Sequence, residues 1–490
     1  MPSSPAPSSG ALLWFREDLR LADNPALDSA VKSGRPVTAI YVLDEQTEGL
    51  RAMGGAARWW LAQSLRALAS DCAAMGLPFS VRRGRSDHLV RDALRETGAE
   101  AVFWNRRYAA REIEIDAALK EELQGDRFSV QSSNCRLLHE PWEVKSKWGD
   151  PFKVFSPYWR AAQARGEPRA PIPRPSKGQI EPGRAIDGES LDSLGLEPTR
   201  PDWAGGLRDA WTPGEAGAKA RLKAFVEDDL RGYASARDRP DLPSTSRMSP
   251  HLRFGEVSPH QLWHAVERAA AEGPATARDV EKFRTELGWR EFSHHLLFQF
   301  PELASRNFQK RFDDFPWEKP KPSHLMAWRK GLTGFPIVDA GMRQLWRTGW
   351  MHNRVRMICA SFLIKDLMID WREGEAWFWD TLVDADPANN AASWQWVAGS
   401  GADAAPYFRV FNPSLQGVRF DPDGGYVRAF VPELENMPAR YIHAPWEAPP
   451  ESLSESGVEL GKTYPLPIVD HGAARDRALK AFDRMKAESA

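Results

Sequence analysis

The sequence predicts two domains of different class: an N-terminal α/β domain built on a parallel sheet, and a C-terminal domain that is nearly all helix. Three observations carry this. Short apolar runs alternate with segments of helical spacing over residues 10–140. A Pro- and Gly-rich stretch then breaks the pattern, and from residue 215 onward helical periodicity dominates, with no strand pattern of similar length.

The elements follow in order. ALLWF (11–15), PVTAIYVL (36–43), LPFSVRRG (77–84) and AEAVFWN (99–105) are short runs of β-branched and aromatic residues, and read as strands. ARWWLAQSLRALASDCAAMG (57–76) and DHLVRDALRETG (87–98) lie between them with apolar residues at helical spacing. Strands alternating with helices imply a Rossmann-like parallel sheet covered on both faces. There is no GxGxxG, so a dinucleotide at the first turn is not indicated. Residues 1–9 read as a disordered tail, and 141–214 as an interdomain linker whose EPRAPIPRPSKGQIEPG (167–183) must be irregular. The helical domain runs from 215 to 478 and a C-terminal tail from 479 to 490. Its helices include SPHQLWHAVERAAAEG (258–273), with a Ser cap and an early Pro, and the segments 275–300, 338–350 and 353–371.

With 490 residues, the chain is long enough for two or three domains. No apolar run reaches the roughly 18 residues of a membrane span, and the N-terminus lacks the basic and apolar regions of a secretory signal. The three cysteines are far apart without CxxC spacing, which fits a reducing, cytoplasmic setting and argues against a zinc site. Net charge is −2, so a nucleic-acid contact would need a local basic patch. The 21 Trp against 8 Tyr are unusual: indole stacks on flat ligands and carries an electron hole easily. DADPANNAASWQW (384–396) sets two of them behind two acids and two asparagines.

Three further segments carry candidate chemistry. TSRMS (245–249) offers hydroxyls at Thr245, Ser246 and Ser249, with backbone N–H groups at a turn entering a helix. It reads as a cluster of helix caps, or as a pyrophosphate cradle. In FRTELGWREF (283–292), Glu286 and Arg290 have ion-pair spacing and Trp289 shares their side of the helix. That is a surface salt bridge beside a core Trp, or the wall of a ligand site. In GWMHNRVRMICASF (349–362), Asn353, Arg356 and Met357 share one helix face, and a buried Arg there needs a carboxylate, for which Asp384 and Asp386 are candidates. His294 and His295 lie on different faces and read as structural; Lys145, Lys147 and Lys153 read as a solvated face.

LLWFREDLRLADNPAL (12–27), TSRMSPHLRFGEVSP (245–259), ELGWREF (286–292), TGFPIVDAGMRQL (333–345), NRVRMICASFLIKDLMIDWR (353–372) and DADPANNAASWQW (384–396) together resemble the DNA photolyase and cryptochrome family, in order and over nearly the whole chain. The resemblance implies an α/β antenna domain, a long linker and a helical domain that buries FAD, active as FADH⁻. By motif matching, Tyr233 and the turn Thr245, Ser246, Arg247, Met248 and Ser249 surround the FAD phosphates. Arg290, Asn353 and Arg356 line the cofactor, Arg356 pairs with Asp384, Asp386 contacts the ring, and Asn390 faces flavin N5. Family photolyases carry Asn at that position, plant cryptochromes Asp and insect ones Cys. Trp394, Trp371 and Trp317 match an electron-hopping chain, although the spacing around Trp317 departs by one residue from the commonest pattern. Trp396 and Trp289 would be the walls of a substrate pocket, Glu286 a partner for the thymine edge and Met357 an apolar contact. Arg237, Arg354 and Arg409 match DNA-phosphate clamps.

The (6-4) photolyases typically carry two active-site His residues where this chain has Asn353 and Met357. The resemblance therefore implies repair of cyclobutane pyrimidine dimers (CPDs): light excites FADH⁻, an electron passes to the dimer, the ring splits and the electron returns. The partner is UV-damaged DNA with the CPD flipped out of the duplex, met by a monomer and without a membrane. The antenna chromophore is a folate such as methenyltetrahydrofolate (MTHF), a deazaflavin, another flavin or nothing, with GGAARWWLAQSL (54–65) and FWNRRYAAREIEID (103–116) in the expected domain. Two rivals are a signalling cryptochrome, which would usually show Asp or Cys at position 390 or a long C-terminal extension, and a DASH-type enzyme of single-stranded DNA.

Overall fold

The computed structural model describes residues 9–404 and 409–488. The expected tail, 1–9, lies outside them except for Ser9. Strands β1 (Gly10–Phe15), β2 (Val37–Leu43), β3 (Phe79–Arg83), β4 (Ala99–Asn105) and β5 (Ser129–Ser133) form one sheet in the order β3-β2-β1-β4-β5, all parallel. β1 is central, with Leu13 opposite Ala39 on one side and Phe103 on the other. One face buries Leu12, Trp14, Ile40, Val102 and Trp104 against Val90 and Leu94. Four strands match the apolar runs. β5, SVQSS, has no apolar run because an edge strand need not be buried on both faces.

By contacts the described chain divides into two compact units, and the expected boundaries at 141 and 215 are not where they divide. The first unit takes the chain through Pro151, then Ser156–Arg231 and Ser246–Pro301. The second takes Phe152–Phe155, Gly232–Thr245 and the chain from Glu302. The first therefore holds the sheet together with the Pro259–Glu272 and Ala277–Gln299 helices. Both are opened by capping boxes, Ser258 with Gln261 and Thr276 with Asp279. The linker is irregular over 167–183 as expected, but Phe155–Gln163 within 141–214 is a helix.

Among its described residues the second unit has no named strand. The segment 353–371 is not one helix. Asn353–Ser361 is followed by a π turn, Phe362–Asp366, and Met368 takes a left-handed φ of 56°. A new helix, Trp371–Thr381, then starts under an Asp370 cap. The run is apolar throughout, so periodicity alone could not show the break. The expected tail 479–490 is also corrected: helix His471–Glu488 lays Ala478, Phe482 and Met485 against Phe312, Phe315 and Met368. Its apolar stripe is narrow and charged residues hold much of the rest, so it resembles a solvated end.

Candidate active site

In the first unit the Ala277–Gln299 helix carries Glu286, Trp289 and Arg290. The expected Glu286–Arg290 pair does not form. Glu286 pairs with Lys282 at 2.8 Å, one turn toward the N-terminus. Arg290 donates instead to the Arg136 carbonyl at 2.8 Å and lies 3.3 Å from Glu291. Its Nη2 is buried without a partner among the described residues. Glu291 accepts from the Leu138 and His139 amides, and burial pushes its carboxyl up to about 7. Trp289 is half-buried, edge-on to Phe292 at 6.1 Å.

Ser246–Ser249 leads into a five-residue helix, Ser249–Arg253, with Met248 buried at the cap. Arg247 has a left-handed φ of 53° and sets its guanidinium 4.3 Å above the Trp211 ring. Burial and the neighbouring Arg221, which donates to the Ser246 carbonyl at 3.0 Å, lower the Arg247 pKa. Two cations crowd this turn. Arg221 was not singled out from the sequence, because nothing in its helix marks it apart from other surface arginines.

The same unit has a cavity of about 100 Å³ at the carboxyl ends of β1 and β2, where open α/β sheets bind ligands. Trp14, Arg16, Tyr41, Asp44, Arg107 and Glu112 line it, and Trp14 Nε1 has no partner among the described residues. It is smaller than the ~300–1,000 Å³ usual for small-molecule sites. The paired indoles of GGAARWW, Trp59 and Trp60, are core residues, 1% and 0% exposed.

In the second unit Tyr233 is buried and the Arg237 guanidinium lies 5.9 Å from its ring; Thr245 is half-buried. His352 caps the Asn353–Ser361 helix. Its Nδ1 accepts from the Arg354 amide at 3.2 Å and its Nε2 bonds the Arg237 carbonyl at 2.9 Å. That pattern fixes the neutral tautomer, and burial drives the ring down to about 4. Arg354 pairs with Asp238 at 2.9 Å and lies over Phe420. Met357 Sδ is approached by Asn353 at 4.0 Å and Arg354 at 3.9 Å. Arg356 turns away from that trio to Asp384, at 2.8 Å, and to the Met351 carbonyl. The carboxylate demanded by the half-buried Arg is thus Asp384. Asp386 instead caps the Pro387–Ala398 helix, its Oδ1 taking the Ala388 and Asn389 amides at 2.9 Å each. Arg409 is exposed, and its neighbours 405–408 lie outside the described residues.

Asn390 is buried, with its amide nitrogen donating to the Glu375 carbonyl and carboxylate at 3.1 and 2.8 Å. This turns the Asn390 oxygen away from Glu375. One turn on, Trp394 is 2% exposed and edge-on to Phe378 at 4.9 Å. Trp396 is two positions further, about 200° around the helix, so the two indoles cannot share a face. Trp371 is fully buried and donates to Asn307 Oδ1 at 2.9 Å. Trp317 is half-buried against the same core, 4.3 Å from Phe315. The series therefore grades from buried to half-buried. Gln395, between the two indoles, is fully buried. It accepts from the Phe308 amide and donates to the Leu303 and Arg306 carbonyls, all at 2.8 Å.

Cations at a turn, a buried amide held by a carboxylate and indoles graded in burial are groups that a redox-active nucleotide cofactor would use. The chain belongs to the DNA photolyase family: residues 11–176 match the DNA photolyase model and 283–484 the FAD binding domain of DNA photolyase. It is 52% identical to a deoxyribodipyrimidine photo-lyase of Agrobacterium fabrum, over 97% of this chain and 98% of the relative. It is 38% identical to cryptochrome-1 of Arabidopsis thaliana, over 97% of this chain and 70% of that protein. A crystal structure of a bacterial class III photolyase from Agrobacterium tumefaciens superposes with a TM-score of 0.95 at 51% identity, covering 99% of both chains.

Proposed function

We propose that this protein is a light-driven deoxyribodipyrimidine photo-lyase that splits the cyclobutane ring joining two pyrimidines in UV-damaged DNA. The observation that carries this is the 52% identity, spanning almost the full length of both chains, to a protein of that activity. When bound, reduced FAD supplies under blue light the electron that opens the ring and takes it back. The protein's own groups then need only bind, orient and exclude water. Two observations support FAD. Arg290 Nη2 is a buried donor without a partner among the described residues, and Arg247, with Arg221 paired to Asp229 beside it, lies at a turn where Thr245, Ser246, Met248 and Ser249, with Tyr233, would meet a pyrophosphate. Asn353 and the Arg356–Asp384 pair would line the ring system, with Asp386 beside it. Asn390, its nitrogen occupied by Glu375, would offer an oxygen to an N–H of the reduced ring.

For the lesion, Trp289 and Trp396 supply stacking faces, Met357 a polarisable contact and Glu286 an acceptor for a thymine N–H. Arg237, Arg354 and Arg409 meet phosphates. Trp394, Trp371 and Trp317 carry electrons inward when the cofactor must be reduced. His352 favours the dimer over the (6-4) product: both ring nitrogens are engaged and the ring is held neutral, so it is not poised as a general acid. A second chromophore, a folate or a deazaflavin, is proposed for the α/β domain; the cavity of about 100 Å³ at the ends of β1 and β2 is too small to enclose it whole.

The test gives pre-reduced protein duplexes bearing either a CPD or a (6-4) product, in blue light and in darkness, with products separated by chromatography. Light-dependent loss of the CPD alone is expected. Repair of neither, with FAD bound and reduced, would overturn the reading and favour a signalling role instead.

A further inference from the structure

Among the described residues Trp148 is the most exposed of the large apolar side chains, at 79%. Nothing in the repair site uses it. It is presented by a tight turn, not by a loose loop. Ser146 N donates to the Asp150 carbonyl at 3.0 Å and Gly149 N to the Ser146 carbonyl at 2.9 Å. The Ser146 hydroxyl accepts from the Trp148 and Asp150 amides at 3.2 and 3.1 Å. Gly149 supplies the left-handed φ of 87° that closes the turn.

The turn is anchored behind. Pro141 offers its carbonyl to His295 Nδ1 and Gln299 Nε2, both at 3.2 Å. Trp142 packs at 5.5 Å on Phe298, and Val144 is buried. All three anchors lie on the helix that carries Glu286 and Trp289. Phe298 is nine residues beyond Trp289, about 14 Å along the axis. Two cations precede the indole: Lys145 and Lys147 are exposed, and the Lys147 ammonium sits 4.8 Å from the Trp148 ring. Asp150 and Glu143 are the nearby acids in sequence, and Glu143 is paired with Arg165.

An exposed indole on a hydrogen-bonded turn, just after two exposed lysines, fits a polyanion that also offers flat apolar faces. Bases inside a duplex show only their edges, so the stacking face belongs to an unpaired base. We infer that the 142–150 turn is a second DNA contact, in which Trp148 stacks on an unpaired base of a single-stranded flank while Lys145 and Lys147 meet its phosphates. The inference rests on the DNA-repair reading above. The notion of a merely solvated lysine face leaves the indole unexplained.

The experiment measures dissociation constants in the dark, by fluorescence anisotropy, for pre-reduced holoenzyme on one CPD oligonucleotide presented single-stranded or fully paired. Trp148→Ala should weaken single-strand binding roughly fivefold or more and duplex binding less than about twofold. Trp148→Phe should retain most of the affinity, and Lys147→Ala should flatten the salt dependence by close to one ion, a log–log slope change of about 0.7 on single strands. Light-driven turnover at saturating DNA should be unchanged in Trp148→Ala, with only KM raised. Unchanged single-strand binding in Trp148→Ala, or an equal loss on both substrates, would overturn the inference while leaving the repair reading intact. Failure of the wild-type protein to repair the CPD would remove both.

Discussion

Replacing Trp371 by Phe separates its two jobs, packing and electron transfer. The indole is fully buried and its N–H is the partner of Asn307 Oδ1. Phenyl lacks two of its carbons and the N–H. At about 0.8 kcal/mol per buried carbon, plus about 1–3 kcal/mol for an orphaned buried acceptor, the substitution should cost about 3–5 kcal/mol of stability. Phenyl is also far harder to oxidise than indole, and raising a hop's barrier by even about 1.4 kcal/mol slows it about tenfold. Photoreduction of oxidised FAD by an external donor, followed by flavin absorbance, should therefore fall by at least about that factor. Repair by chemically pre-reduced protein should stay near wild type. Asn307→Leu is the control: it removes the same hydrogen bond, together with the one Asn307 donates to Asp313, and should cost at least as much stability, yet it keeps the indole and hence photoreduction. If Asn307→Leu loses photoreduction as fully as Trp371→Phe, or if Trp371→Phe loses repair as well, Trp371 supports the fold and is no relay.

Other substitutions probe the cofactor side. Asn390→Asp would set a carboxyl beside Glu375, where Asn390 now sits at 2.8 Å, and two carboxyls that close share a proton. Build-up of reduced flavin should slow and become pH-dependent; wild-type photoreduction kinetics would contradict this. Asp384→Asn strips the buried carboxylate from Arg356, whose side chain is one-quarter exposed, and should cost up to about 3 kcal/mol along with retained FAD; flavin content after gel filtration and the denaturant midpoint check both. His352 falls from its usual 6.5 to about 4 through burial, so the unfolded chain binds the extra proton between those pH values. The stability from its neutral form is complete above about pH 6.5 and is lost as pH falls toward 4. Unfolding free energies of wild type and His352→Gln should therefore converge across that window, and parallel curves would refute it.

The sequence made the sheet legible because a buried parallel strand must be an apolar run, and it hid β5 because an edge strand need not be. The helix break at Met368 and the docked 471–488 helix were missed for a related reason: periodicity reports which residues are apolar, not where a chain turns or what covers it. In the candidate site, residues with a distinctive chemical type were legible, and those acting through geometry were not. Asn390 stands out as an amide among carboxylates, whereas Glu375, which orients it, looks like any helical Glu. Arg356 announced its need for an acid, but the choice of Asp384 over Asp386 depended on Asp386 being spent as a helix cap. Gln395 is the sharpest case. Between two indoles it reads as a polar spacer, yet its amide ties the 303–308 segment to the helix through three hydrogen bonds. That segment holds Asn307, and Asn307 holds the Trp371 indole. The spacing Trp-Gln-Trp thus does three things at once: it turns Trp394 into the core and Trp396 to another face, and it leaves between them the one amide that fixes the next indole in place. Neither a Leu nor a charged residue at 395 could do this, since each would leave buried backbone groups unpaired.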